Sequence, residues 1–418
     1  MNKFKKINSS GRELVKIVPD INHFKKIMTY KILIILTPPF DPNTGGVQMS
    51  TYKMSSYFKS QGHDTHVFSF QKNGHAKQDV AKLHVAKDNI GVKSPNNNAQ
   101  LRELVLSLKP DVVINQMPYD QPIGIALSEA KTELEFLLLA CLRNTLYSVK
   151  LNIGDYVKAV VPKPLLPLFN NSLGKQLLLQ KHKSSHRANL KKILDTYDFF
   201  VMFGPPNMEE LKYFIGNYKL HKTYLIPNSI PSVLPQVPPK EKRILWLSRL
   251  SYKQKRADLI LPFWKKIMHD LPDWQFDIVG DGDAYRDLKR QIEQEEIPRI
   301  TLHGKQKPDA YYKRSPIYIM TSAFEGFPNT LIEAQSFGAI PVVYDNYPIC
   351  SWAVKEGQSG VLIPPFEVNR TADEVIALAK NKDRQNQLMQ SSLANAREFS
   401  IEKVGKQWIE FFNRELKE

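Results

Sequence analysis

The stretch that decides the fold is KILIILTPPFDPNTGG, residues 31–46. Its apolar run over 31–36 predicts a buried strand, and the prolines and paired glycines that follow predict a loop. A helical pattern over 47–62 and a second apolar run over 65–70 come next. Together they predict a β-α-β unit with a glycine-rich first turn, which is typical of parallel sheets covered by helices.

The same alternation continues along the chain and restarts after a proline-rich segment. Five prolines fall between positions 227 and 239, a density that excludes helix interiors and central strands. Before this segment, apolar runs predict strands over 112–115, 136–142, 199–203 and 223–226. After it, they predict strands over 243–248, 275–279, 299–303, 317–321, 340–344 and 360–363. The prediction is an α/β protein with two Rossmann-like, doubly wound domains.

The domain boundaries follow from this pattern. We predict a basic N-terminal extension over 1–29, a first domain over 30–228, a linker over 229–242, a second domain over 243–400 and a C-terminal helix over 401–418. The apolar stripe of that last helix should pack rather than bind a cofactor. Ligands of doubly wound sheets bind outside the carboxyl ends of the strands, so we expect the active site in the cleft between the domains.

Composition limits the classes of protein that fit. The chain has 418 residues and two cysteines, Cys141 and Cys350. Cysteines this far apart fit neither a disulfide framework nor a Cys-x-x-Cys metal site. No apolar run reaches the roughly 18 residues of a membrane span, and the basic start of the chain lacks the apolar core of a secretory signal. We therefore expect a cytoplasmic protein.

Positive charge is concentrated in the first half of the chain. Residues 1–240 hold 32 Lys+Arg and 17 Asp+Glu, a net charge of +15, which leaves +1 of the total +16 for residues 241–418. Such a half attracts nucleic acid, anionic lipid or a phosphorylated substrate, unless it is simply a solvated surface. No helix-turn-helix, aromatic RNP pattern or zinc knuckle supports nucleic acid, so we expect no nucleic-acid partner.

The strongest chemical signal is FEGFPNTLIEA, residues 324–334. A strand is predicted to end near Thr321, and a helix to begin near Pro328 or Asn329. The backbone N–H groups at a helix start lack partners within the helix and, with the helix dipole, form an anion site suited to phosphate. Glu325 precedes this helix and Glu333 lies within it, so the two carboxylates can meet neighbouring parts of one ligand.

Two further segments point to a phosphate group. A predicted strand delivers Arg249 at its carboxyl end, and Lys255 follows six residues later, flanked by Lys253 and Arg256. Two cations there could neutralise a leaving diphosphate without a metal. In the first domain, Gly45-Gly46 lies at a strand-to-helix turn where the backbone can approach a phosphate closely, although an ordinary tight turn is the alternative.

These residues resemble a known family, the retaining, nucleotide-sugar-dependent glycosyltransferases of family 4, which have the GT-B architecture. Its signature is two glutamates within an E-G-F/L-G/P-x-x-x-x-E frame, which Glu325 and Glu333 match. The resemblance implies that the first glutamate contacts the donor sugar, the second holds the ribose hydroxyls, and the helix amides hold the diphosphate. It also places an arginine and a lysine at the spacing of Arg249 and Lys255, and a paired-glycine loop near the donor.

The resemblance also settles how the segment VGDGD, residues 279–283, is interpreted. A nicotinamide fingerprint would need a third glycine where Tyr285 stands, and a metal-binding Asp-x-Asp belongs to another glycosyltransferase architecture. Similar proteins carry a Gly-x-Gly turn beside the donor here, so no metal is expected. The sequence departs from the family in the first domain: Gln116 follows a strand that often leads to a catalytic-side histidine, and Arg143-Asn144 replaces a common His-Asn.

The function implied by the resemblance is transfer of a hexosyl group, with retention, from a nucleoside diphosphate sugar to an acceptor hydroxyl. The implied catalytic residues are Arg249, Lys255 and Glu325. The implied donor-binding residues are Gly45, Gly46, Asn329, Thr330, Leu331 and Glu333. No cofactor or metal is implied. The alternatives are a non-catalytic nucleotide-sugar-binding subunit of the same fold and, from the charge, a nucleic-acid-binding protein.

The expected acceptor is a glycan, lipid-linked, in the assembly of a bacterial envelope polysaccharide such as lipopolysaccharide or capsule. An enzyme of this kind must reach the bilayer, so we expect peripheral docking on the inner, anionic face of the cell membrane. The residues predicted to dock are Lys175, Lys181, Lys183, Arg187, Lys191 and Lys192, with Lys3, Lys5 and Lys6 of the extension.

Overall fold

The computed structural model describes residues 28–71, 79–231 and 233–416. It also describes the backbone of two short antiparallel strands, β1 (Lys6–Ile7) and β2 (Glu13–Leu14). The predicted docking side chains of Lys3, Lys5 and Lys6, and the rest of the predicted extension before Met28, lie outside the described residues.

The first domain is built on a seven-stranded parallel sheet. Its strands are β3 (Lys31–Leu36), β4 (Asp64–Ser69), β5 (Lys82–Val85), β6 (Val112–Asn115), β7 (Leu137–Cys141), β8 (Phe199–Met202) and β9 (Thr223–Leu225). Their order across the sheet is β5-β4-β3-β6-β7-β8-β9. Every neighbouring pair is parallel. The strands predicted from apolar runs are confirmed, while β5 was not predicted.

The second domain is built on a six-stranded parallel sheet. Its strands are β10 (Arg243–Leu247), β11 (Gln275–Val279), β12 (Ile300–Leu302), β13 (Ile317–Met320), β14 (Ile340–Tyr344) and β15 (Val361–Ile363). Their order is β12-β11-β10-β13-β14-β15, again with parallel neighbours. All six predicted strands are present, each within one residue of its predicted ends. The doubly wound architecture of both halves is therefore confirmed.

Helices cover both sheets. Those between the strands of the first sheet are α1 (Gly46–Ser60), α2 (Pro95–Leu108), α3 (Gln121–Lys131), α4 (Ser148–Leu151), α5 (Ile153–Val160), α6 (Leu166–Phe169), α7 (Ser172–Thr196) and α8 (Pro205–Ile215). Those that follow are α9 (Ile260–Ile267), α10 (Tyr285–Gln294), α11 (Asp309–Arg314), α12 (Asn329–Ser336), α13 (Cys350–Ala353), α14 (Val368–Lys380), α15 (Lys382–Ala396) and α16 (Ile401–Glu415). No helix within the described ranges is both long and apolar enough to cross a membrane.

The last helix, α16, returns from the second domain and packs on the first. Its buried Phe411 stacks on Tyr224 of β9, with ring centroids 4.1 Å apart. Phe412 and Trp408 lie against Phe58 of α1, at 5.6 and 6.5 Å between centroids. Burial of three large aromatic side chains contributes several kcal/mol, so α16 ties the two domains together. The prediction that its apolar stripe packs is confirmed.

Candidate active site

The cleft between the domains is a cavity of about 930 Å³ at the carboxyl ends of the strands. The first domain lines it with the loop that leads from β3 into α1, including Gly45 and Gly46. The second domain lines it with the ends of β10 and β11 and with the segment before α12. Because parallel strands all end at the same edge, residues distant in sequence meet here.

Three predicted catalytic residues lie together on the second-domain wall of this cleft. The Lys255 ammonium forms an ion pair with Glu325, with 2.5 Å between Nζ and Oε1, and both side chains are largely buried. The Gln254 amide bridges the group: its Nε2 donates to Glu325 Oε2 at 3.4 Å, and its Oε1 accepts from Arg249 Nη2 at 3.1 Å. Arg249 itself is exposed to the cleft. Gln254 was not predicted, because a neutral amide within a basic loop carries no signal of its own.

Buried hydrogen bonds hold this loop in place. The Trp246 indole N–H donates to Thr321 Oγ1 at 2.9 Å, and the Thr321 hydroxyl donates to the Lys255 carbonyl at 2.6 Å. The Ala323 N–H donates to the Gln254 carbonyl at 2.7 Å. The loop after β10 is thus fastened to the end of β13, the strand that leads to Glu325. This fixes Lys255 and Glu325 relative to each other before any ligand binds.

The start of α12 faces the same cleft. Asn329 and Thr330 line it, and the Thr330 hydroxyl accepts from Tyr318 at 2.9 Å. Among the residues that the structure describes, the Asn329 and Leu331 N–H groups donate to Phe327 and Pro328 carbonyls, whereas the Thr330 N–H has no acceptor. The free N–H and the helix dipole point to an anion site beside Arg249 and Lys255. The Leu331 side chain is fully buried behind this wall.

The two domains approach closely beside Glu325. A Cβ atom at Gly326 would lie 2.7 Å from the Asn144 Cα and 2.8 Å from the Arg143 carbonyl oxygen of the first domain. A side chain is therefore excluded at position 326, which explains the glycine after the glutamate. A Cβ atom at Gly46 would lie 3.2 Å from the Asn329 amide, so the glycine loop reaches the start of α12.

A smaller cavity of about 210 Å³ opens at this contact, between Arg143 and Glu325. The Arg143 guanidinium donates to Asn228 Oδ1 at 3.0 Å, and the Asn228 amide donates to Asn329 Oδ1 at 3.2 Å. Burial lowers the pKa of Arg143, and its Nε is buried with no hydrogen-bond partner among the described residues. Arg143, which stands where similar proteins often have the histidine of a His-Asn pair, therefore faces the site. Gln116 is fully buried instead, and within the part of the chain that the structure describes neither its Nε2 nor its Oε1 has a hydrogen-bond partner.

Glu333 does not line the cleft in this structure. It forms an ion pair with Lys53 of α1, at 2.9 Å, and both side chains are largely buried. The pair joins the two domains behind the glycine loop. The sequence offered no signal for it, because Lys53 and Glu333 are 280 residues apart.

The glycines of the segment 279–283 form a tight turn at the rim of the cleft. Gly280 has φ +143°, and a Cβ atom there would lie 1.8 Å from the Ser248 carbonyl oxygen, so only glycine fits. The turn beside the cleft is as predicted. Asp281 and Asp283 are exposed, and within residues 28–71, 79–231 and 233–416 no three His, Cys, Asp or Glu side chains gather as a metal site would require.

Comparison with known sequences agrees with this geometry. Residues 234–394 match the family described as glycosyl transferases group 1. This match falls on the second domain. An uncharacterised glycosyltransferase of Haemophilus influenzae is 27% identical over 171 residues, which cover 40% of this chain and 48% of that protein. The chain thus spans about half the length of this relative.

Other similarities extend over nearly the whole chain. The amylovoran biosynthesis glycosyltransferase AmsD of Erwinia amylovora is 23% identical over 398 residues, covering 92% of this chain and 100% of AmsD. Among solved structures, sucrose-phosphate synthase of Thermosynechococcus elongatus superposes with a TM-score of 0.70 at 14% identity, covering 93% and 99% of the two chains. Anabaena HepE in complex with UDP-glucose superposes with a TM-score of 0.67 at 14% identity, covering 92% and 100%. The two domains together thus have the GT-B fold.

Proposed function

We propose that the protein transfers a hexosyl group from a nucleoside diphosphate sugar to an acceptor hydroxyl, with retention of anomeric configuration and without a metal. The observation that carries the proposal is the convergence of Arg249, Lys255, Glu325 and the start of α12 on one cleft between two Rossmann-like domains. HepE, which has this fold, was solved with UDP-glucose, and AmsD serves amylovoran biosynthesis. HepE supports a sugar nucleotide as donor, and AmsD supports a polysaccharide as product.

Charge on the leaving diphosphate is the first thing that the cleft must stabilise. Arg249 is exposed and can turn from Gln254 toward it, and the Thr330 N–H offers a fixed donor. Lys255 holds Glu325 in this structure, and an entering diphosphate can share that ammonium. Preorganised donors of this kind act on charge that develops in the transition state, where each is worth about 10²–10³ in rate.

Positive charge on the sugar is the second charge that the cleft must stabilise. Glu325 lies at the contact between the domains, where the smaller cavity joins the cleft. Its carboxylate is held by Lys255 and Gln254, so it can orient the sugar and stabilise an oxocarbenium-like centre. For retention, the acceptor hydroxyl attacks from the face that the diphosphate leaves, and a leaving phosphate oxygen takes the acceptor proton. No protein base is required for that proton.

On the acceptor side we propose a lipid-linked envelope glycan, bound by the first domain. The cavity beside Arg143 and Asn144 is where an acceptor would meet Glu325. The cytoplasmic location and the absence of a nucleic-acid partner stay predictions.

The test is a thermal-shift screen over nucleoside diphosphate sugars with the full chain, because a ligand that binds only the folded protein raises its melting temperature. One donor should give a clear shift and then support release of nucleoside diphosphate with an acceptor glycan. A donor that binds but is never turned over would favour the non-catalytic subunit. No shift with any sugar nucleotide would contradict both.

A further inference from the structure

Exposed apolar side chains are concentrated in one segment of the first domain. In the described part of the chain, ten large hydrophobic residues are more than about a third exposed, and five of them fall between positions 160 and 177. These five are Val160, Leu165, Leu168, Leu173 and Leu177, which are 44–74% exposed. Single exposed hydrophobic residues are ordinary, but a cluster marks a surface that binds something.

The segment is also cationic throughout. Residues 156–194 contain eight Lys or Arg and no Asp or Glu. Lys163 and Lys181 are exposed and Lys175 is half-buried. We call these three lysines and the five apolar residues the leucine-lysine surface. Leu173, Leu177 and Lys181 recur every four residues along α7, so they lie on one face of that helix. Gly174 packs on Phe169 and joins α6 to the same surface.

The surface stands on the side of the sheet where the cleft opens. Helix α7 has 25 residues, a length of about 37 Å, whereas the four residues of β8 span only about 13 Å. The end of α7 that leads into β8 carries its buried anchors, Leu190, Ile193 and Leu194. Because the helix runs antiparallel to the strands, its other half, with Leu173 and Leu177, extends past their carboxyl ends.

We propose that the leucine-lysine surface docks the protein on an anionic lipid bilayer. The leucines enter the boundary between headgroups and acyl chains, and the lysines meet lipid phosphates. A protein partner would be expected to face a rim of mixed charge, whereas here no carboxylate interrupts the segment. The surface differs from the predicted docking set, because Lys183 and Lys191 are half-buried and lie over the rings of Tyr213 and Tyr218, at 3.8 and 4.6 Å.

The proposal can be tested without donor or acceptor, so its outcome is separate from that of the proposed transfer reaction. Vesicles of phosphatidylcholine alone, and with about a third phosphatidylglycerol, are sedimented with the full chain at low and high salt. We expect binding to the anionic vesicles at least tenfold stronger than to the neutral ones. High salt should weaken that binding without abolishing it, because the contribution of inserted leucines does not depend on ionic strength.

Two variants assign the binding to the surface. Leu173→Ser/Leu177→Ser should lower the vesicle partition coefficient at least tenfold, and Lys163→Gln/Lys181→Gln should lower it only for anionic vesicles. The matched control is Ile90→Ser, since Ile90 is 66% exposed and lies outside the segment. All of these side chains are exposed, so melting temperatures should stay unchanged.

Three outcomes would overturn the proposal. The first is that wild-type protein does not bind anionic vesicles. The second is that the leucine variant binds as well as Ile90→Ser. The third is that the wild type is a dimer by light scattering, the leucine variant is a monomer, and neither binds lipid; the surface would then pair two copies of the chain.

Discussion

Replacing Lys255 by alanine should damage both activity and stability, whereas replacing Arg249 should damage activity alone. Lys255 is the ion-pair partner of Glu325, and the two side chains are 13% and 9% exposed. Removing one partner of a buried pair costs about 3–5 kcal/mol because the other charge stays buried. Some exposure remains and Gln254 still donates to Glu325, so we expect a loss of about 2–3 kcal/mol.

Arg249 is the matched control within the same site. It is exposed, and its side chain donates a hydrogen bond to Gln254 at 3.1 Å, so Arg249→Ala should change stability by less than about 0.5 kcal/mol. In a domain of this size, 1 kcal/mol shifts the melting temperature by about 2–4 °C. Lys255→Ala should therefore melt about 3–12 °C lower than Arg249→Ala. Both should lose about 10²–10³ in turnover with the identified donor.

The assay pairs thermal unfolding with steady-state kinetics on both variants and on Lys255→Ala/Glu325→Gln. The double variant removes the unpaired carboxylate, so it should recover most of the lost stability and none of the activity. Equal melting temperatures for the two single variants would refute the argument that Lys255 neutralises a desolvated Glu325. Near wild-type turnover in both would refute the diphosphate assignment.

Three further predictions concern the donor, metal ions and pH. The family resemblance assigns the ribose to Glu333, which is paired with Lys53 in this structure and must leave that partner to reach the ligand. On that assignment Glu333→Ala should weaken binding of the free nucleoside diphosphate, whereas Glu325→Ala should spare it and reduce transfer; calorimetric titrations that show equal losses would contradict this division. Transfer should survive EDTA, and activity that is abolished and then restored by Mn²⁺ or Mg²⁺ would contradict metal independence. Burial, with the neighbouring His182, lowers the pKa of His186 to about 4. Between the unfolded pKa near 6.5 and pH 4 the unfolded chain binds a proton that the folded chain excludes. Stability should therefore fall by about 1–2 kcal/mol as pH falls through that range, after allowance for partial exposure, and His186→Phe should remove this part of the slope in melting scans.

The sequence was most informative where local pattern and tertiary role coincide. The runs at β3, β6, β10 and β14 are buried on both faces, so each is continuously apolar and bounded by Gly, Pro or polar residues. Strand β5 is an edge strand in which two of the four residues are apolar, too weak a signal for a prediction. The apolar stripe of α16 could be predicted from the sequence, but its packing on the first domain could not. Periodicity indicates that one face of a helix is buried, but it does not indicate which element covers that face.

The site also contains residues that could be grouped from the sequence and contacts that could not. Arg249, Lys255 and Glu325 could be grouped in advance because each follows a strand of one parallel sheet, and such ends share an edge. The Lys53–Glu333 pair and the Arg143–Asn228 hydrogen bond join residues from different parts of the chain. Their distance depends on how closely the two domains pack, which no local pattern encodes.

The central claim is that this cleft transfers a sugar with retention, and the anomer of the sugar first released tests it most directly. The donor found by thermal shift is incubated with the full chain without acceptor, and slow hydrolysis is followed by proton NMR before mutarotation. The sugar should appear with the anomeric configuration that it had in the donor, and Arg249→Ala should abolish its release. Release of the opposite anomer, or equal release by Arg249→Ala, would contradict the account.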